Sequence, residues 1–461
     1  LTWQTATFLY DPLGRLTKIT DAHNNIKEQR FNGLGHNVWQ SDLDQGVTQY
    51  EFDNAGNLDN KTDQLGRRLY YKYDQAGRLQ SILNNELDQL YAYHYDAPQV
   101  ASGLNGYLGK LTWVEEFDPA TNTSQSEHYH YDLHGNLVHK TRELDSVPYQ
   151  FHYQYDQQDR IARQVWPDGD SVEYQYNLRG KIKRIVDIID DVQYHIDDQV
   201  DTIYYANGTQ QTRAYDDKGQ LTELESKATD TLQLLTYGYD LRGNITRIDD
   251  ILESKNTQVY QYDATSQLRK ATGIYGQLRY QYDAIGNMTA KHWDNPNGGT
   301  LHNLGVMQYG GTTGTKNRQH KGGQPGPHAI TSTVNGKNWQ YNGIGQRVSD
   351  NAGNHYDWDQ MGRLTQWQNS HEDVNNNTVI TGQEKYRYDF KGRRLSKTSY
   401  SIDAQTSQLA PSGQVFYIDK SYEVRDDQTQ KHLFLGSLRV ARLETPVAQA
   451  FQQIKQYSLT P

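Results

Sequence analysis

Tyr10, Phe31, Phe52 and Tyr73 recur at a strict spacing of 21 residues, each followed by Asp or Asn and, four residues after the aromatic, by Gly. A fixed period of that size means one supersecondary unit used many times, so the chain is read by units rather than by ordinary domains. The full frame is aromatic, Asp or Asn, two variable residues, Gly, Arg or Asn, then an aliphatic. Clear copies are Tyr10-Asp11 with Gly14, Tyr73-Asp74 with Gly77, Tyr131-Asp132 with Gly135, Tyr239-Asp240 with Gly243 and Tyr282-Asp283 with Gly286. Trp358-Asp359 with Gly362 and Tyr388-Asp389 with Gly392 are variants of the same frame, and Tyr155-Asp156 and Tyr262-Asp263 are degenerate copies without the Gly.

The contents of one period name the unit. Tyr149-Gln150-Phe151-His152-Tyr153-Gln154-Tyr155 alternates aromatic and polar residues, and a period of two is that of a β-strand with one aromatic face. Asp-x-x-Gly then supplies turn chemistry. The carboxylate accepts from backbone N–H groups two or three residues on, and Gly takes the positive φ that closes the turn. Arg or Asn with the aliphatic opens the return strand, so each repeat is a β-hairpin. One hairpin is marginal in water; about fourteen in sequence are expected to stack into one long, twisted antiparallel sheet that coils or closes.

Composition bears on the interior of such a sheet. Only 35% of the residues are hydrophobic and mean hydropathy is -0.94, yet 36 Tyr, 8 Trp and 9 Phe supply apolar area that disordered chains lack. The expected interior is Tyr-rich, polar and hollow rather than oil-like, with Asp and Asn partnering buried hydroxyls. Within it Tyr73 is expected to be largely buried.

The repeated frame resembles the YD/Rhs repeat family, which includes bacterial Rhs toxins, the B and C components of insecticidal Tc toxin complexes and the YD domain of animal teneurins. Two later segments are similar to the bacterial branch: Gly326-Pro327-His328-Ala329-Ile330-Thr331, and Tyr417 to Glu423 followed by Leu435 to Ala441. The resemblance runs from about residue 8 to about residue 443. It implies an all-β fold, with tandem hairpins in a long spiralling antiparallel sheet that forms part or all of a hollow shell. In toxin members that shell encloses a separate toxic domain. The self-cleaving core cassette of those members has no copy in this sequence.

The expected organisation is a YD-repeat β-shell over residues 1–294, a Gly-rich long loop or linker over 295–325, further YD-repeat shell over 326–443, and a tail over 444–461 with a short helix between Pro446 and Tyr457. Polar inserts at Ser370 to Asn377 and Asp403 to Gln414 are expected at hairpin tips.

Functional chemistry is sparse. Most Asp residues sit at the repeated turn, where a structural role explains them, so no acid–base pair stands out. Asp42-x-Asp44-x-Gly46 resembles a calcium loop but lacks the later bidentate Glu. His128 and His130 lie two apart on one strand face, with His152 expected nearby on a neighbouring hairpin; zinc needs three or four ligands, and two His on an alternating strand are ordinary polar-face positions. The sequence contains no Cys, no phosphate loop and no nucleophile elbow. No enzyme activity, cofactor or metal is expected.

A net charge of -10 and the absence of a basic block argue against nucleic acid, and no run approaches the roughly 18 apolar residues of a membrane span. The expected role is that of a structural scaffold, a shell wall that sequesters or helps deliver a toxin or effector polypeptide. Its partners would be that cargo or the remaining shell segments, and its location secreted or cell-surface, as the resemblance implies. The alternative is an extracellular adhesion or carbohydrate-binding module with a cell-surface glycan as partner.

Overall fold

The computed structural model describes residues 5–97, 106–118, 123–294, 304–310, 325–373 and 378–446. Among them the chain forms 38 β-strands and one 3-10 turn at Ser254–Asn256. The motif count of about fourteen hairpins is therefore too low, because turns such as those at Trp166 to Asp170 and His195 to Gln199 close with the same backbone bonds but lack the aromatic-Asp or aromatic-Asn pair. The turn after Tyr155 places Asp159 at φ 57° and the turn after Tyr262 places Ser266 at φ 61°. Asp, Asn and Ser tolerate the left-handed region better than most side chains.

Two compact units result. The first comprises residues 1–171, 309–332 and 337–461. Its strands from Thr7–Tyr10 to Ile161–Val165 form one ladder in which every strand pairs antiparallel with the next. Its later strands, from Trp339–Tyr341 to Leu438–Pro446, form a second antiparallel sheet of 10 strands. The sheets share a core: Met361 and Phe390, from turns of the later sheet, pack on buried Leu69, Ile82 and Tyr91 of the first. Phe151 meets Tyr422 edge to face at 5.9 Å, and both are fully buried.

The second unit comprises residues 172–308 and 333–336. Its strands run from Ser171–Tyr176 to Gly305–Tyr309 as a consecutive antiparallel ladder. The buried residues there are mostly aliphatic: Ile185, Ile189 and Ile203 have no exposed surface.

The Gly-rich segment falls mostly outside the described residues, and the described part contains the strand Gly305–Tyr309. The tail helix also lies outside them, since the last described strand is Leu438–Pro446. The insert expected from Asp403 is a turn at its start, but Leu409–Asp419 is already strand.

Candidate functional site

The repeat residues build one recurring arrangement. At the first copy, Gly14 N–H donates to the Asp11 carbonyl and Asp11 N–H donates to the Arg15 carbonyl, both at 2.9 Å. One Asp11 carboxylate oxygen accepts from the Leu13 and Arg15 N–H groups at 2.9 Å, and the other accepts from Arg15 Nε at 2.6 Å. The register slips by one residue where Tyr10 faces Leu16, a bulge that closes the turn. The same bonds recur at Asp74, Asp156 and Asp389 with Arg, and at Asp53, Asp132, Asp240 and Asp283 with Asn. Arg or Asn follows the Gly because each carries a side-chain N–H that reaches the second carboxylate oxygen. At Asp359 the Arg363 bonds are the same. Gly14, Gly77, Gly135, Gly243, Gly286, Gly362 and Gly392 all have φ between 75° and 92°.

These bonds set the carboxylate electrostatics. The Arg15 backbone N–H and then its guanidinium hold the Asp11 carboxyl below its ordinary value. The Asn57 and Asn244 amides, with the backbone N–H of each, do the same for Asp53 and Asp240.

The aromatic that opens each frame has a second task. Tyr95 Oη donates to the Leu79 carbonyl at 2.9 Å, Tyr131 to Leu111 at 2.9 Å, Tyr155 to Leu137 at 2.8 Å, Tyr239 to Leu221 at 2.8 Å and Tyr388 to Leu364 at 2.8 Å. In each case the acceptor is the aliphatic that opens the preceding return strand, so the hydroxyl ties hairpin to hairpin. Trp358 makes the same tie through its indole N–H, to the Arg347 carbonyl at 2.8 Å. The turn Arg adds to it: Arg15 lies over Phe31 at 4.9 Å, Arg78 over Tyr95 at 4.4 Å and Arg363 over Tyr388 at 5.1 Å. Tyr10, at the edge of the ladder, is 60% exposed. Tyr73 is only half-buried, which corrects the expectation of a largely buried ring. Such a Tyr stands at the rim beside the turn rather than mid-strand.

Several periods also contain a second turn of the same kind at the opposite end of the strands. Asp21, Asp63 and Asn84 accept the same pair of backbone N–H groups. No aromatic precedes them, so the frame search passes over them, although Asp63-Gln64-Leu65-Gly66-Arg67 is legible as a turn.

The inner face of the first unit carries a seam of buried charge. Arg142 has no exposed side-chain surface and pairs with Glu116 through both terminal nitrogens and with Glu127 at 3.3 Å. Glu127 accepts from Tyr129 Oη at 2.6 Å, and Glu116 accepts from the Phe390 N–H at 2.8 Å. Lys140 pairs with Asp419 at 2.5 Å. Lys431, wholly buried, pairs with Asp168 at 2.5 Å and with Asp170. Ser421 accepts from Gln164 at 3.1 Å and from Trp166 at 3.3 Å. Burial alone would raise the Asp419 carboxyl; the Lys140 ammonium and the Ser421 donors reverse this and hold it at about 2. Burial likewise pushes Glu127 up, and the charges of Lys140 and Arg142 bring it below the ordinary value.

Between the two sheets of this unit lies a cavity of 830 Å³ whose lining includes Tyr91, Asp118, Trp358, Gln360, Lys385 and Tyr400. Its volume is that of a pocket for a small ligand or a few residues of peptide, not for a folded domain. Its carboxylates are mostly engaged: Asp359 by Arg363 at 2.7 Å and Asp145 by Arg387 at 2.7 Å.

The remaining candidates have structural partners. Asp42 accepts from the Asp44 N–H at 2.8 Å, and Asp44 holds His328 through its N–H at 2.9 Å and Nδ1 at 2.7 Å. The calcium-like loop thus clasps the Gly-Pro-His segment. His128, His130 and His152 share one face but stack on neighbours instead of converging. Among the described residues no group of three or more His, Cys, Asp or Glu is placed to hold a metal ion, and no helix is long and apolar enough to cross a membrane.

No family model and no curated protein sequence matches the chain. Solved structures do. A TcdB2-TccC3-TEV crystal structure aligns with 96% of this chain at a TM-score of 0.77 and 16% identity. A TcdB2-TccC3 crystal structure gives 0.75 over the same share at 16% identity. The structure of a Photorhabdus luminescens Tc holotoxin pore gives 0.74, also at 16% identity and 96% coverage. The chain spans 24% of the matched chain in the first two and 23% in the third, about a quarter of their length. This chain is all-β, built of tandem hairpins in long antiparallel sheets, and it shares its fold with a stretch of those Tc toxin structures.

Proposed function

We propose that the chain is a YD/Rhs-repeat scaffold that forms part of the wall of a hollow shell around a secreted toxin or effector polypeptide, and that it carries out no chemistry of its own. The observation that supports this reading best is the fold shared with TcdB2-TccC3 over 96% of the chain. The recurring turn adds to it, because its polar groups are spent on one another. The 830 Å³ cavity is too small for a cargo domain; a chamber of that size would be bounded by the ladder together with further shell segments. In this reading the stretches 1–294 and 326–443 are both wall, joined through 295–325, and the protein acts outside the cytoplasm.

Limited proteolysis of the complete gene product tests the reading. Polypeptide outside the repeats should resist protease under native conditions and become sensitive only in denaturant that unfolds the ladder. Digestion of that polypeptide at the same rate with and without the folded repeats would overturn it.

A further inference from the structure

Strands Gln89–Tyr95, Leu111–Asp118, Thr123–Tyr131, Leu137–Leu144 and Val147–Tyr155 lie side by side in antiparallel register. Strand alternation gives their two faces different chemistry. One face holds the seam, with Glu116, Glu127, Tyr129, Lys140, Arg142 and Phe151. The other holds five histidines and a tryptophan in two stacked columns. His94, Trp113 and His128 form the first, with ring centroids 3.6 and 5.7 Å apart and planes within 5°. His130, His139 and His152 form the second, at 5.3 and 4.4 Å, with interplanar angles of 20° and 3°.

The surroundings of the two columns differ. Glu115 lies 4.0 Å from His94, and Ser126, which bonds His128 at 2.9 Å, is itself bonded to Glu143. The second column faces hydroxyls: Tyr107 at 3.2 Å from His130 Nδ1 and Thr141 at 3.3 Å from His139 Nε2. On the far side of His152 the next strand presents Val165, with Arg163 two residues along the same face. Among the described residues, then, a proton arriving on the second column meets no carboxylate and places like charges face to face.

We propose that the His130–His139–His152 column is an acid-sensitive element that loosens the sheet segment Thr123–Tyr155 while the ion-pair seam on its reverse face stays closed. Burial holds all three imidazoles below their ordinary value, with the neighbouring imidazoles adding to this at His139, which sits at about 4. The folded state thus binds fewer protons than the unfolded chain. The stability tied to these groups is complete above the ordinary value of 6.5, falls as pH drops, and is lost once pH has passed the folded value of about 4. The seam stays charged through that window, with Asp419 at about 2. The inference concerns this chain alone and does not depend on what the shell encloses.

Hydrogen exchange of the full chain at pH 7.5 and pH 5, corrected for intrinsic rates, tests it. Protection across 123–155 should fall by about tenfold or more between the two, and the double variant His139→Gln, His152→Gln should lose most of that dependence. His134→Gln, altering an exposed imidazole at a hairpin tip, should leave it unchanged. An equal fall in the double variant, or no fall in the wild type, overturns the proposal. Should the double variant not fold, NMR titration of ring-labelled histidines in the wild-type chain decides: titration of the column well below 6.5 upholds it, and titration at the ordinary value overturns it.

Discussion

The two units use the same hairpin and stabilise it differently. In the second unit the ion pairs among the described residues are local and at least partly exposed, such as Arg279 with Asp294 at 56% and 54% side-chain exposure, and the buried positions are mostly aliphatic. In the first, Arg142 and Glu127 are 0% and 2% exposed and a second sheet packs over the ladder. A turn-and-tether hairpin is thus enough to propagate a ladder, whereas packing a second sheet onto it draws charge into the interior. Removing both charges of a buried pair is often harmless, but removing one is not. The seam therefore favours one way of docking the two sheets over others more than it adds net stability.

The largest effect should come from breaking the seam on one side only. Arg142→Met takes the ion-pair partner from buried Glu116 and Glu127, and urea unfolding should show a loss of about 3–5 kcal/mol. The same change at Arg279 should leave the urea midpoint where it is. Adding Glu116→Leu and Glu127→Leu to Arg142→Met should recover most of the loss, and failure to recover would mean that the seam contributes net stability after all.

Gly77→Val comes next. Nothing lies within 4 Å of the added carbon, so the cost arises from the positive φ of 75° and should be about 1–3 kcal/mol in thermal unfolding. An unchanged melting temperature would mean that this turn relaxes to another conformation.

Tyr95→Phe in the first unit and Tyr239→Phe in the second each remove one hairpin tie. Each should cost about 0.5–1.5 kcal/mol by denaturant titration. Unequal costs would show that the tie depends on the second sheet and is not a property of the repeat.

The smallest difference between units should appear in acid, because the turn carboxylates are held low in both. Their folded values lie below the ordinary 3.8, so the turns contribute stability above 3.8 that is lost as pH falls through the lower folded value. Circular dichroism on acidification should show Asp11→Asn and Asp240→Asn removing the same part of that loss; an effect in only one unit would contradict a shared turn.

What was legible in the sequence is the part that is local. Asp-x-x-Gly reads as a turn because carboxylate, backbone and glycine lie within four residues, and the alternating aromatics around Phe151 read as a strand. The purpose of Arg15 and Asn57 after the glycine needed geometry, since a residue that opens a strand gives no sign of reaching back to Asp11 or Asp53. The seam was not legible at all. Lys140 meets Asp419 and Lys431 meets Asp168 across more than 250 residues, and nothing in spacing joins such pairs. Tyr73 was misread because alternation predicts a face, not how deeply that face is covered at the end of a strand. His152 was placed near His130 correctly, but His139 between them was missed; it shows only when the register of three strands is known.

The most direct test of the shell wall is a cryo-EM map of the complete gene product at a resolution that traces the hairpins. The ladder should line a closed chamber containing weak density from additional polypeptide. A ladder exposed to solvent on both faces, or a closed chamber without such density, would contradict a role in enclosing cargo.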